Sequence, residues 1–239
     1  DAAVSLIRGQ RGTQVRLKVI RDGAAPFDVT ITRARIEIPV ITTQTLGDGT
    51  IEYIALSEFS SVAPQRIQDA LRIAVDRKPK GIILDLRDNP GGLLDASVRI
   101  GSYFVPEGNI LIERFADGRQ QEYKRQGRYL LNDIPLVVLV NGGSASASEI
   151  VAGAIQDAGV GILIGTQTYG KGSVQLPNSL SDESQLRVTI ARWYTPKDRG
   201  IDETGLTPDI ESPDPTAEQV QADVDPQLER AVEYLLTGE

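Results

Sequence analysis

Residues 134–167 read IPLVVLVNGGSASASEIVAGAIQDAGVGILIGTQ, and their grouping of apolar and small residues decides the fold class. IPLVVLV at 134–140 is a continuous apolar run of strand length, the pattern of a strand covered on both faces. A glycine-rich turn follows; SASEIVAGAIQDAG has the pattern of a helix that ends on glycine, and VGILIGTQ is a second apolar strand. Strand, helix and strand in that order make a right-handed crossover between parallel neighbours. The alternation extends upstream. IEYIALSEF (51–59) predicts a strand, and APQRIQDALRIAVDRK a helix with Pro64 near its start and Ile67, Ala70, Leu71, Ala74 and Val75 on one face. GIILDLRD (81–88) predicts a buried strand, and the turn NPGG leads from it into the helix LLDASVRIGSYF. Residues 115–128 read as a polar connection, and the alternating LRVTIARWYT (186–195) is expected to close the series. The reading is an α/β core built on a mixed, largely parallel sheet.

Both ends depart from this pattern. DAAVSLIR at 1–8 is a short helical stretch, followed by VRLKVIR and FDVTITR as two strands with Val15, Leu17, Val19, Val29 and Ile31 inward and DGAAP as their hairpin connection. So short a segment cannot bury a core of its own, and it reads as the end of a small β-rich module. With no Met at its start, the chain is expected to open part-way through a longer precursor. From Ser212 onward a loose polar run precedes one amphipathic helix, PQLERAVEYLL.

Composition removes whole classes of chemistry. Lys and Arg number 25 against 33 Asp and Glu, a net charge of −8 that argues against nucleic acid or an anionic membrane as a partner. The chain has no Cys and no His, so thiol and imidazole catalysis are impossible and the usual ligands of transition metals are missing. No apolar run approaches the roughly 20 residues of a membrane helix, so no integral membrane segment is expected.

Ser146 falls where the turn NGGSAS meets the helix, with free amides and the positive end of the helix dipole around it. Capping is the plainer reading of that serine, because Ser is a common N-cap. A catalytic serine would need a lysine or carboxylate as its base, and Lys171, in the Gly-flanked loop YGKGSVQ after the next strand, returns to the same sheet edge. Such a lysine must lose much of its ordinary pKa of about 10.4, which enclosure among apolar groups would achieve. Gln175, four residues on, could orient it. Taken alone, Lys171 reads as a solvated loop lysine. The turn NPGG reads first as a tight connection; in the catalytic reading the amide of Gly92 enters the crevice beyond the strand ends and shares an oxyanion with the amide of Ala147. GTQTYGKGS from Gly165 also approaches a phosphate-binding loop, but Gly172 occupies the place of the magnesium-binding hydroxyl and QLPNSLSDES is a poor helix, so nucleotide binding is set aside.

LDLRDNPGG, VNGGSASASEIVAGAIQD, GTQTYGKGSVQ and RWYTPKDRGIDETGLTPDI stand in the order and spacing of the carboxyl-terminal processing proteases. The chain resembles these tail-specific serine peptidases of family S41 over nearly its whole length. The resemblance implies a ClpP/crotonase-like protease core at 37–211, preceded at 1–36 by the last helix and two strands of a PDZ domain. A C-terminal polar segment and helix at 212–239 would pack on the core. The carboxylate-binding loop and first strands of that PDZ domain would lie before Asp1. It also implies a serine endopeptidase with a Ser–Lys dyad: Ser146 as nucleophile, Lys171 as general base, Gln175 orienting the lysine, and Gly92 and Ala147 forming the oxyanion hole. Asp157 matches an acidic position that supports the site in some members, though a structural contact at a helix end explains it equally well. No metal or organic cofactor is implied. The implied partners are proteins or peptides with apolar C-terminal tails, with a homo-oligomer left open, and the implied location is extracytoplasmic: periplasm, cell envelope or thylakoid lumen. Two rivals are a latent module that holds peptide tails without cutting them, and a crotonase-like acyl-CoA enzyme, for which the chain shows no adenine pocket.

Overall fold

The computed structural model describes residues 2–21, 23–34, 39–182 and 184–238. It divides into two compact units, Asp1–Ile38 and Pro39–Glu239. The predicted boundary between 36 and 37 lies outside the described residues.

In the first unit α1 (Ala2–Ile7) precedes the antiparallel pair β1 (Gln14–Val19) and β2 (Phe27–Thr32), in which Leu17 faces Val29. Val15, Leu17 and Val19 are half-buried while Arg16 and Lys18 face solvent, as the alternation requires. Ile31 does not follow the prediction: it is 45% exposed, because it sits opposite Val15 on a two-stranded sheet with little to cover it. The Arg33 guanidinium joins the helix to the hairpin by donating to the carbonyls of Ile7 and Gln14 and to Thr13 Oγ1.

The second unit begins with β3 (Ile41–Leu46), β4 (Ile51–Leu56), α2 (Ala63–Asp76), β5 (Gly81–Asp85) and α3 (Leu94–Phe104). It continues through β6 (Asn109–Phe115), β7 (Gln120–Lys124), β8 (Leu136–Val140), α4 (Ala147–Ala158) and β9 (Ile162–Gly165). The last elements are β10 (Ser173–Ser179), β11 (Gln185–Tyr194), β12 (Ile210–Glu211), α5 (Ala217–Gln221) and α6 (Pro226–Thr237). Six strands form the main sheet in the order β12-β9-β8-β5-β4-β3, parallel throughout except for the antiparallel β3–β4 pair.

Successive side chains on β4, β5 and β8 point to opposite faces, and both faces are covered. Ile54, Leu84, Val138 and Leu163 pack beneath α2, α3 and α4 through Ile67, Leu71, Phe104 and Ile155. Ile51, Ile83, Val137, Leu139 and Ile164 face α6, where fully buried Ala231 lets the helix approach and Leu228, Val232 and Leu235 pack beside it. This double cover is the physical reason β5 and β8 read as unbroken apolar runs. Each side chain so buried contributes about 1.5–3 kcal/mol.

A second sheet, β10-β11-β6-β7, is antiparallel. It corrects two expectations. The connection expected at 115–128 contains β7, a strand at the sheet's edge with only Tyr123 partly covered, so its polar sequence hides it. LRVTIARWYT does not close the parallel series: β11 pairs with β6 and β10, and the two-residue β12 closes the main sheet instead. β10 has no strand pattern in the sequence because Pro177 interrupts it, which a strand at a sheet's edge tolerates. Among the described residues no helix is long and apolar enough to cross a membrane.

Candidate active site

The segment after β8 is fixed residue by residue. Ser144 Oγ donates to the carbonyl of Leu86 at 2.7 Å, and Asn141 Oδ1 accepts the amides of Gly143 and Asp88, each at 2.9 Å. The Ala145 amide and Ser148 Oγ both donate to the carbonyl of Asn89, at 3.0 and 2.9 Å. Asn89 is itself fully buried; its Nδ2 donates to Leu56 O at 2.7 Å and its Oδ1 accepts the Gly91 amide at 2.9 Å. The turns that follow β5 and β8 are therefore fastened to each other and to the end of β4.

Between these ties Ser146 adopts φ 57° and ψ −115°, a backbone conformation that side-chain-bearing residues rarely take, and it is 7% exposed. Gly91 lies against it, and Gly92 lies against Phe59. A Cβ on Gly91, whose φ is 99°, would come within 2.7 Å of Ser146 Cβ, and one on Gly92 within 2.5 Å of Phe59 O. Only glycine permits that approach. Phe59 pairs around Gly92 by donating to Gly91 O and accepting the Leu93 amide, which leaves the Gly92 N–H outside the bridge. Neither the Gly92 nor the Ala147 amide has an acceptor among the described residues. Free N–H groups of this kind, one of them directly after a strained serine at the start of α4, are what the stabilisation of a developing negative charge requires.

Glu149, fully buried in the first turn of α4, connects this turn to the loop of Lys171. Its Oε2 accepts the amides of Ser146 and Lys171 at 2.8 and 2.9 Å. Its Oε1 accepts Thr168 Oγ1 at 2.6 Å and the Gly170 amide at 2.7 Å. The sequence marked Glu149 only as an acid at a helix start; nothing local to it announces the loop 22 positions away.

Ser146, Lys171 and Gln175 line one cleft of about 340 Å³, together with Trp193 and Arg187 of β11. The structure thus brings together the residues predicted as nucleophile, base and orienting group. It does not supply the apolar enclosure predicted for Lys171, which is an exposed residue, as is Gln175. Gly165–Lys171 leads into β10, a strand, so the helix N-terminus of a phosphate-binding loop is absent there. Asp157 is elsewhere. From the last turn of α4 its carboxylate accepts the Lys197 amide at 2.6 Å and Arg199 Nη2 at 2.5 Å, a structural tie to the turn after β11.

A larger cavity of about 580 Å³ is lined by Tyr53, Asp85, Arg87 and Asp225, but by neither Ser146 nor Lys171. Here Arg87 forks between Asp85 at 2.6 Å and Asp225, the N-cap of α6, at 2.8 Å. Burial works against the Arg87 charge, and the hydrogen bonds it donates to Asp85 and Asp225 outweigh it, raising its pKa. Burial likewise pushes the Asp225 carboxyl up, but Arg87 and the Leu228 amide prevail and its pKa is lowered. Burial and the adjacent Asp85 carboxylate raise the Tyr53 hydroxyl. The charged groups of this cavity are tied to one another, whereas the smaller cleft holds Ser146 and Lys171.

Residues 50–212 match the profile of peptidase family S41. The chain is 38% identical over 245 residues to the carboxyl-terminal-processing protease of Synechocystis sp., covering all of this chain and 57% of that protein. It is 40% identical over 228 residues to the carboxy-terminal-processing protease of Bartonella bacilliformis, covering 92% of this chain and 51% of the relative. Among solved structures it is similar to a photosystem II D1 C-terminal processing protease, with a TM-score of 0.73 and 32% identity over 88% of this chain and 58% of that one. The chain spans about half the length of the curated relatives it matches.

Proposed function

The chain belongs to peptidase family S41, and from that premise we propose that it is a serine endopeptidase with a Ser–Lys dyad, cutting proteins near apolar C-terminal tails. In this reading neutral Lys171 Nζ takes the Ser146 Oγ proton as the oxygen attacks a peptide carbonyl. The carbonyl oxygen becomes an oxyanion held by the Gly92 and Ala147 amides. The Lys171 ammonium then returns its proton to the leaving nitrogen as the C–N bond breaks, leaving an ester on Ser146. Water gives a proton to Lys171 and attacks the ester, and Ser146 regains its proton as the acid product departs. Gln175 orients the amine, and a substrate covering the cleft completes the enclosure of Lys171 that the free chain lacks. Asp157 takes no part.

The observation that carries the reading is that strained Ser146, followed by an Ala147 amide without an acceptor among the described residues, lines one cleft with Lys171. The assignment of the first unit as the last part of a PDZ domain, and an extracytoplasmic location, belong to the same proposal and rest on the family resemblance. The test is mass spectrometry of an unfolded reporter with an apolar tail, incubated with the parent chain and with Ser146→Ala. Cleavage by the parent alone supports the reading. Equal cleavage by both rejects Ser146 as nucleophile, and none by either leaves a module that holds tails without cutting them.

A further inference from the structure

The catalytic cleft runs against the charge of the whole molecule. The chain carries a net charge of −8, yet among the described residues those lining this cleft include two cations, Lys171 and Arg187, and no carboxylate. Lys171 is committed to the chemistry in the reading above, on which this inference rests. Arg187 has no part in that chemistry.

Its position is fixed by strand pairing. Arg187 lies opposite Pro177 in the β10–β11 ladder, and Gln175 is two residues before Pro177 on the same face. Residues directly opposite in an antiparallel pair share a face and their diagonal neighbours are in reach of long side chains, so the guanidinium extends over the Gln175 end of the cleft. Arg187 is exposed, and its guanidinium has neither a salt bridge nor a hydrogen bond among the described residues. Other arginines of the second sheet are paired: Arg114 with Asp198 and Arg192 with Asp202.

Trp193 supplies an independent observation. It lines the same cleft, is only 8% exposed, and its buried Nε1–H has no partner among the described residues. A buried donor left unsatisfied is unfavourable, and a ligand that brings an acceptor relieves it. A guanidinium without a counter-ion and an indole N–H without an acceptor belong to two residues that line one cleft, and a single acceptor group would serve both.

We propose that Arg187 and Trp193 form a subsite that binds a carboxylate of the substrate close to the scissile bond. The carboxylate is either the free C-terminus of a short tail or an acidic side chain in the tail. In both cases the subsite makes the enzyme prefer substrates that place a negative charge there.

Binding can be measured apart from cleavage. The Ser146→Ala chain is titrated by calorimetry with an alanine- and valine-rich decapeptide bearing a free C-terminus, with its C-terminal amide, and with amidated versions carrying Glu or Gln at successive positions. Because Trp193 is the only tryptophan, its emission reports contact in the same titrations. One charged hydrogen-bonded contact corresponds to about a tenfold or greater difference in Kd. The expected result is that at least one carboxylate-bearing peptide binds about tenfold tighter than its neutral counterpart and shifts the Trp193 emission. Arg187→Gln should bring that ratio to near one, and Arg187→Lys should restore part of it. A gain from the free C-terminus identifies a terminal carboxylate, and a gain from Glu at one position identifies a side chain. Equal affinities throughout, absence of binding, or a preference that survives Arg187→Gln overturns the proposal. Incubating the same peptides with the parent chain tests the peptidase reading separately: a carboxylate preference without cleavage would leave the subsite standing and remove the proposed activity.

Discussion

Replacing Glu149 by Gln should loosen the Ser146 turn and the Lys171 loop in a single step. The carboxylate is fully buried and accepts from the Ser146, Lys171 and Gly170 amides and from Thr168 Oγ1. Gln keeps the shape but turns one oxygen into an NH₂ group. With the amide oxygen on the Ser146 and Lys171 side, the NH₂ faces Thr168 Oγ1, a hydroxyl that can rotate to accept, and the Gly170 N–H, which cannot. The opposite orientation sets the NH₂ against two amides and is worse. The better one leaves one buried N–H orphaned, which costs about 1–3 kcal/mol, and weakens two charge-assisted bonds by about 1 kcal/mol each. The total is about 3–5 kcal/mol, and since 1 kcal/mol shifts Tm by about 2–4 °C in a unit of this size, a fall of about 10 °C is expected. Circular dichroism melting measures it, and acylation of Ser146 by a fluorophosphonate should slow in the same variant below its melting range. A Tm within about 2 °C of the parent, with labelling unchanged, would show that this carboxylate does not hold the two loops.

Other consequences are simpler to test. Ser146→Gly should abolish labelling yet raise stability by about 1 kcal/mol in denaturant unfolding, because glycine tolerates the φ of 57° that serine is forced to adopt. Asp225 has a lowered folded pKa, so its contribution is complete above the unfolded value of about 3.9 and vanishes as pH falls through the folded one. Asp225→Asn should therefore melt lower than the parent at neutral pH, and the gap should shrink in acid below about pH 4. Asp157→Asn should cost about 1–3 kcal/mol of stability by weakening the bonds to Lys197 and Arg199, with the Ser146 labelling rate unchanged at temperatures where it is folded.

How much of this was legible depends on whether covering comes from one face or two. β5 and β8 are packed on both sides and announce themselves as apolar runs; α4 announces itself by its glycine end and by the turn before it. β7 and β10 lie at the edges of their sheet, keep polar side chains, and resemble loops until their partners are known. The same division runs through the site. Ser146 and Lys171 follow buried strands through glycine-rich turns, so local sequence placed both at one sheet edge. Trp193 and Arg187 reach the cleft only through the pairing of β11 with β10, whose register shifts between Val174 and Gln175, and no local pattern encodes that. Glu149 was visible as a helix-start acid, but its partners Gly170 and Lys171 lie beyond β9. The exposure of Lys171 was equally hidden, since enclosure depends on what the surrounding loops leave open.

The Arg87 fork joins the turn that carries Gly92 to Asp225, the N-cap of α6, 138 positions after Arg87. Ile51, Ile83, Val137 and Leu139 have that same late helix as their cover, and β12, the outermost strand, also comes late. On the ribosome, therefore, Ser146 and Lys171 emerge well before the parts that seal the sheet behind them. A nascent chain halted before Asp225 exposes an apolar sheet face and lacks the anchor of its amide turn. The order of synthesis thus leaves the turn that carries Gly92 without its α6 anchor until that helix has left the exit tunnel.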